Sequence, residues 1–338
     1  MRVGLTYDLR DDYRALGGFS EAALAEFDSP ETIDALADAL AANGFRVDRI
    51  GHIRNLAARL VAGESWDLVF NICEGVSGRT SEAQVPALLE AYNIPYVFSD
   101  PLTLSVTLDK AIAKRLVREA GLPTAPFAVI ETDADVRACN LTFPVFVKPL
   151  AEGTGKGCER ASKVGDRKAL LAAARSLRAR FNQPALAEPF LPGREFTVGV
   201  VGNGASARII AVLEIVLLRN AEPEVYSFEN KELCESRVEY RLVEDAEAGA
   251  AGATALAAYR TLGCRDGARL DLRSDAAGVP QFLEVNPLAG LHPTHSDLPI
   301  LANLAGMSYE TLIGEILQAA RQRNGLGLAQ SKKRRIFA

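Results

Sequence analysis

Three histidines in 338 residues, His52, His292 and His295, are too few and too badly spaced to build a zinc site. The five cysteines, Cys73, Cys139, Cys158, Cys234 and Cys264, are odd in number and contain no CxxC pair, so they read as reduced thiols in a cytosolic chain. No apolar run approaches the length that spans a bilayer, and the N-terminus enters a strand without a signal-peptide pattern. A cytoplasmic protein with no membrane partner is therefore expected. Basic charge is not in excess either: 38 Lys and Arg stand against 43 Asp and Glu, and a net charge of -5 gives no electrostatic footprint for nucleic acid. The one basic run, Lys332, Lys333, Arg334 and Arg335, follows a Gly-rich linker and reads as a disordered tail over 325–338. With 48% hydrophobic residues the chain has core material for two or three domains.

The densest chemistry lies between Gly267 and Ser296, GARLDLRSDAAGVPQFLEVNPLAGLHPTHS. Two apolar-alternating arms, Ala268 to Arg273 and Pro280 to Asn286, flank turn residues Ser274, Asp275 and Gly278, which predicts a β-hairpin. Alternation puts Leu270, Leu272, Leu283 and Val285 on one face, and Arg269, Asp271, Glu284 and Asn286 on the other. A turn centred between Ala277 and Gly278 sets Asp271 opposite Glu284 and Arg269 opposite Asn286. Two carboxylates and an amide oxygen suit a hard cation such as Mg2+. A solvated hairpin face with surface ion pairs satisfies the same spacing.

The N-terminal segment alternates strand and helix: Met1 to Tyr7 and Phe45 to Ile50 as strands, a helix from Pro30 to Asn43 capped by Ser29, and a buried strand at Asp67 to Ile72. This βαβ rhythm predicts a parallel sheet, with ligands beyond its carboxyl ends. The polar stretch Asp8 to Gly18 reads as a loop, and Cys73 to Glu82, CEGVSGRTSE, as a substrate loop or an ordinary connection. One amphipathic helix is expected from Leu102 to Ala120, carrying Asp109, Lys110, Lys114, Arg115 and Arg118. Lys148 ends a strand that runs into PLAEGTGKGCE, whose glycines can turn backbone N–H groups toward a phosphate. The C-terminal half reads as antiparallel and β-rich. Within it, Arg219 to Tyr240 reads as a long mobile loop covering a site, and Ala246 to Leu262 and Tyr309 to Arg323 as helices.

Together, IPYVFSDPLTLSVTLDKAIAKRLVREAGLPTAPF, FPVFVKPLAEGTGKG, EPFLPGREFTVGVVGN and RLDLRSDAAGVPQFLEVNPLAGLHPTHSDLP resemble an ATP-grasp ligase of the D-alanine:D-alanine ligase family, over residues 67 to about 317. The resemblance implies a mixed α/β and α+β chain with the ATP-grasp fold: an N-terminal parallel α/β domain (1–100) and two α+β subdomains (101–184 and 185–324) that clasp ATP. It assigns Lys110 and Lys148 to the ATP phosphates, Thr154 and Gly155 to the phosphate loop, Glu188 and Leu191 to the adenine hinge, and Glu195 to the ribose. Lys231 matches the lysine of the mobile loop. Asp271, Glu284 and Asn286 match the ligands of two Mg2+ ions, with Mn2+ able to substitute. Arg269 matches the arginine at the tetrahedral oxyanion, and Gly290 and Ser296 match contacts to the second substrate.

The implied reaction joins a carboxylate to an amine through an acyl phosphate, with amino acids or small carboxylates as substrates and a homodimer as the assembly. The substrate end departs from the family. Glu74 precedes Gly75 where a His stands in the family, Glu232 replaces a Tyr after Lys231, and Pro287 follows Asn286. Glu82 ends the same loop. The acid that holds the first substrate's ammonium is Glu21, Glu26 or Glu31. Three functions follow: an amino-acid ligase with a divergent acyl-donor pocket, an authentic D-alanine:D-alanine ligase, or an inactive nucleotide-binding homologue.

Overall fold

The computed structural model describes residues 1–18, 24, 27–153 and 155–327. Thr154, Glu21, Glu26 and the basic tail beyond 327 lie outside the described residues.

Three sheets follow one another along the chain. The first is parallel, in the order β2-β1-β3, and consists of β1 (Arg2–Thr6), β2 (Arg46–Gly51) and β3 (Leu68–Asn71). The crossover helix Pro30–Ala42 begins where expected: Ser29 Oγ accepts the Thr32 N–H at 3.4 Å, and Pro30 occupies the first turn, where its missing N–H costs nothing. Its Ile33, Leu36 and Leu40 stripe packs on Val3, Leu5 and Phe70.

The second sheet is antiparallel, β4 (Ala128–Ile130), β5 (Val145–Pro149), β6 (Lys163–Val164) and β7 (Ala185–Pro189), in the order β4-β7-β5-β6. Leu170, Ala174 and Leu177 of the Arg167–Phe181 helix seal one face of it. The third sheet is also antiparallel, in the order β10-β9-β8-β11-β12. Its strands are β8 (Glu195–Val201), β9 (Arg208–Leu217), β10 (Val238–Leu242), β11 (Gly267–Ser274) and β12 (Pro280–Asn286). The small side chains of Ala248, Ala251, Ala255 and Ala258 bring the Ala246–Thr261 helix close against it.

The final helices, Asp297–Leu304 and Tyr309–Arg323, return to the first sheet and share its core through Leu298, Ile313, Ile316 and Leu317. Asp266, fully buried just before β11, accepts from Arg323 Nη2 at 2.7 Å and from the Phe98 N–H at 2.8 Å. The charge is paired, as burial requires, and the first and third sheets are fixed to each other beneath the site.

Four expectations need correction. Asp8 to Gly18 is not all loop, since Arg10–Leu16 is helical. The single helix over 102–120 is two, Pro101–Leu108 and Lys110–Glu119, broken at Asp109, which leaves helical geometry to accept the N–H groups of Ala111 and Ile112 at 3.1 and 3.0 Å. The stretch from Arg219 to Tyr240 holds two short helices, Phe228–Glu232 and Cys234–Arg237, and the start of β10. Finally, Leu283 is a bulge, because the register passes from Asp271↔Glu284 to Leu272↔Phe282. Phe282 and Val285 therefore face the core, and Leu283 turns out of it.

Candidate active site

On the polar face of the hairpin, Asp271 pairs with Glu284 and Arg269 with Asn286. The turn is centred on Ala277, and the bulge at Leu283 restores the expected pairing nearer the hairpin base. Arg269 is gripped from two sides. Its Nε and Nη2 donate to both oxygens of Asp271 at 3.1 and 3.0 Å, and Nη1 lies 3.2 Å from Asp297 Oδ2. Thr197 Oγ1 on β8 donates to Asp271 Oδ1 at 2.8 Å. The fork of guanidinium donors matches carboxylate geometry and fixes the plane of the group.

Three lysines face this hairpin from other elements. The helix break at Asp109 makes Lys110 the first residue of the second helix, and its N–H donates to Leu150 O at 3.2 Å, tying it to the end of β5. Lys110 Nζ then reaches Glu284 Oε2 at 3.4 Å. Lys148 on β5 and Lys114, one turn beyond Lys110, clamp Glu188 of β7 at 2.9 and 2.6 Å. Burial works against the Glu188 charge, but the two ammonium groups outweigh it and pull the carboxyl down to about 2. Burial likewise opposes the Lys148 charge, and the fields of Glu188 and Glu284 keep it ionised. Glu284 is held below the ordinary carboxylate range by Lys110, Lys148 and Lys231 against its own desolvation. Glu195 shows the reverse balance, since burial pushes its carboxyl up in spite of Arg273, whose Nη1 is 3.1 Å away.

The residues line two connected spaces. A narrow cleft between the second and third sheets is lined by Lys148, Gly155, Glu188, Leu191, Glu195 and Asp271. A cavity of about 650 Å³ opens beside it toward the carboxyl ends of the parallel sheet. Glu74, Glu82, Glu232, Asn286, Gly290 and Ser296 line that cavity together with Arg269. Lys110, Lys231 and Glu284 line both spaces and mark their junction. Gly75 folds the 74–82 loop inward: its φ is +75°, and a Cβ there would stand 2.4 Å from Ser81 O. Ser296 Oγ accepts the His292 N–H at 3.0 Å, closing the loop after Asn286.

Of the N-terminal acids, Glu31 is exposed on the first turn of its helix and does not line the cavity. Asp28, which sequence reasoning passed over, does line it. Burial first and the neighbouring Asp8 second push the Asp28 carboxyl up to about 7, against the pull of Arg10.

The segment between β9 and β10 covers the junction. Its Phe228 N–H donates to Cys158 O at 3.2 Å, which joins it to the glycine-rich turn. Lys231 lies against Gly155, and its ammonium sits 4.7 Å from the Tyr226 ring centroid. Tyr226 and Tyr240, 2.7 Å apart at their hydroxyls, each place that hydroxyl 3.1 Å from Asp297 Oδ1. Lys114, Tyr226, Tyr240 and Asp297 were missed as site residues. Lys114 had a signal, a lysine on the buried i, i+3, i+4 stripe of its helix. Asp297 had none, since its partners come from three distant segments.

The donor set fits a hard cation. Among the described residues no three His, Cys, Asp or Glu groups converge, but Asp271, Glu284 and Asn286 supply two carboxylates and an amide on facing strands. Asn286 Nδ2 is buried with no hydrogen-bond partner among the described residues. A flip exchanges the two ends of an amide, so its oxygen is free for a ligand.

A family model described as D-ala D-ala ligase C-terminus matches residues 116–318. The chain is 35% identical over 271 residues to the D-alanine–D-alanine ligase of Bordetella petrii, covering 79% of each chain. It is 34% identical over 264 residues to the uncharacterized protein y4sG of Sinorhizobium fredii, covering 76% of this chain and 75% of the other. Among solved structures, D-alanine–D-alanine ligase from Bacillus anthracis complexed with ATP matches with a TM-score of 0.71 at 21% identity, over 97% of this chain and 100% of that one. The VanG D-Ala:D-Ser ligase from Enterococcus faecalis matches with a TM-score of 0.71 at 19% identity, over 95% of this chain and 99% of that one. At such identities the structural likeness is one of fold.

Proposed function

Because the chain belongs to the D-alanine:D-alanine ligase family and has its ATP-grasp fold, we propose that it is an ATP-dependent carboxylate-amine ligase. It forms an amide between amino acids through an acyl phosphate, in an acyl-donor pocket that diverges from the family's. One observation carries the reading. Lys110, Lys231 and Glu284 stand where the narrow cleft meets the larger cavity. A phosphate held there has the nucleotide behind it and a carboxylate in front.

Phosphoryl transfer asks for positioning and charge neutralisation more than for covalent help. Lys110 and Lys148 supply positive charge from the cleft side, and the backbone of the glycine-rich turn supplies N–H donors. The substrate carboxylate oxygen bonds to the γ-phosphorus, and the bond to ADP breaks. The amine nitrogen then bonds to the acyl carbon, phosphate leaves with the carboxylate oxygen, and the proton the amine gives up goes to the departing phosphate. Arg269, buried and gripped by two carboxylates, presents its remaining N–H groups to the oxyanion of the tetrahedral intermediate. Asp271, Glu284 and Asn286 would hold Mg2+, which neutralises charge on the transferring phosphate. Lys231 and its segment keep water from the acyl phosphate. Glu195 is poised for the ribose hydroxyls, and Leu191 with the backbone at Glu188 for adenine.

Glu74, Glu232 and Pro287, the three departures from the family pattern, line the same cavity. This supports an acyl donor other than D-alanine. The similarity to the Bordetella petrii enzyme and the retained Ser296 favour the second reading, an authentic D-alanine:D-alanine ligase. Pure protein with ATP, Mg2+ and a panel of D- and L-amino acids, followed by mass spectrometry and phosphate release, separates them. The expected result is one amide, formed with equal ADP and phosphate, while D-alanine alone is inert. D-alanyl-D-alanine as the dominant product supports the second reading. No substrate-stimulated phosphate release from any member contradicts both.

A further inference from the structure

Asp297 is buried in the wall of the larger cavity, and no step of the proposed reaction uses it. Its two oxygens do different work. Oδ2 faces Arg269 Nη1 at 3.2 Å, while Oδ1 receives the hydroxyls of Tyr226 and Tyr240, both at 3.1 Å. Those tyrosines bracket the covering segment. Tyr226 precedes the helix that carries Lys231 and lies under its ammonium, and Tyr240 sits on β10, opposite Ile215 of β9. Two hydroxyl protons serve three short contacts in this cluster, the 2.7 Å Tyr226–Tyr240 contact included, so the carboxylate is the only pure acceptor and organises both rings. Arg269 and Lys231 hold the Asp297 carboxyl below its ordinary range against the cost of its burial.

We propose that Asp297 is a positioning residue that latches the segment bearing Lys231 onto Arg269. It orients the guanidinium and makes closure of the 219–242 segment part of the same hydrogen-bonded unit. The geometry explains why one carboxylate does not suffice. Asp271 occupies Nε and Nη2 of Arg269, yet Asp271 faces Glu284 in the donor set for the cation. A ligand that draws on Asp271 loosens its grip on the arginine, and Asp297 then remains as the anchor that does not share its charge with that ligand.

The kinetic half of this inference rests on the ligase reading; the half that concerns closure does not. The test therefore has two readouts on the full chain, for Asp297→Asn, Asp297→Glu and Tyr240→Phe. Backbone hydrogen exchange over residues 225–240 of the nucleotide-free protein is expected to rise about tenfold in Asp297→Asn and less in Tyr240→Phe, with other segments unchanged. Turnover of the best substrate pair is expected to fall about tenfold in kcat in Asp297→Asn, with KM for ATP moving less than about threefold, and Asp297→Glu is expected to recover part of kcat. Should Asp297→Asn fail to fold, the Tyr226→Phe, Tyr240→Phe double variant removes both hydroxyls, leaves the charge pair, and is expected to raise the same exchange. Unchanged exchange over 225–240 in the variants overturns the latch. A kcat loss that comes with an equal loss of ATP affinity and with exchange rising throughout the chain overturns it as well, since that is general destabilisation. If the wild-type chain turns over no substrate the ligase reading fails, and the exchange result still decides the role of Asp297.

Discussion

Asp28 and Glu188 are both acids in the walls of the site, and opposite surroundings drive them to opposite ends of the titration range. Glu188, between Lys114 and Lys148, stays ionised down to about pH 2. Asp28, beside Asp8 and with Arg10 opposing the effect of burial, titrates at about 7. The sign of the Asp28 effect follows from its raised folded-state value. Its contribution to stability is full below the unfolded carboxyl range near ~4 and is lost as pH rises through about 7. In the nucleotide-free protein, Asp28→Asn is expected to raise stability at pH 8 by on the order of 1 kcal/mol and to leave it nearly unchanged at pH 4. Thermal melts of both proteins across that range check this, and equal melting differences at the two pH values contradict it. At this scale the hairpin residues were legible, since strict alternation sends Arg269, Asp271, Glu284 and Asn286 to one face whatever lies around them. Asp28 was passed over because Asp8 meets it, and the 74–82 loop joins it around the cavity, only in three dimensions.

Among the elements, those with strong local punctuation were read well. Ser29 and Pro30 start one helix, and the last helix runs over the expected residues, Tyr309–Arg323, where the structure adds Ser308 as its cap. The misses have no signature in the apolar periodicity. Asp109 interrupts an otherwise continuous apolar stripe by capping the second helix with one carboxylate oxygen, while the exposed Arg79 donates to the other at 2.7 Å. The bulge at Leu283 has no sequence signature, and it moves an apolar side chain from the core to the cleft. The covering segment lacks periodicity because its helices are single turns held by the site itself. Gly155 in the glycine-rich turn has φ +74°, while a Cβ there would meet the nearest atom, Lys231 Cδ, only at 3.5 Å. The cost of Gly155→Ala is therefore conformational rather than steric, about 1 kcal/mol. That variant is expected to raise KM for ATP severalfold with little loss of kcat once saturated. Steady-state kinetics with varied ATP would measure it, and an unchanged KM would contradict a role for this backbone in holding phosphate.

As a whole, the molecule places two spaces around one row of charges. The parallel sheet ends at the cavity, the two antiparallel sheets enclose the cleft, and the last helix ties the first and third sheets together through Arg323 and Asp266. The parallel N-terminal sheet and the antiparallel strands of the C-terminal half were legible from strand rhythm, and the ATP-grasp fold from the resemblance. The return of the C-terminal helices into the first core was not, because helix amphipathicity reveals a buried face without its partner. The central claim is that a carboxylate in the larger cavity attacks the γ-phosphate of ATP at the junction. The most direct measurement uses amino acids labelled with oxygen-18 in both carboxylate positions, incubated with the protein, ATP and Mg2+, with mass analysis of the released phosphate. One labelled oxygen in phosphate, equimolar with amide and ADP, is the expected result, because the acyl phosphate passes its bridging oxygen to the leaving group. Unlabelled phosphate accompanying amide formation, or label found in AMP, would contradict it.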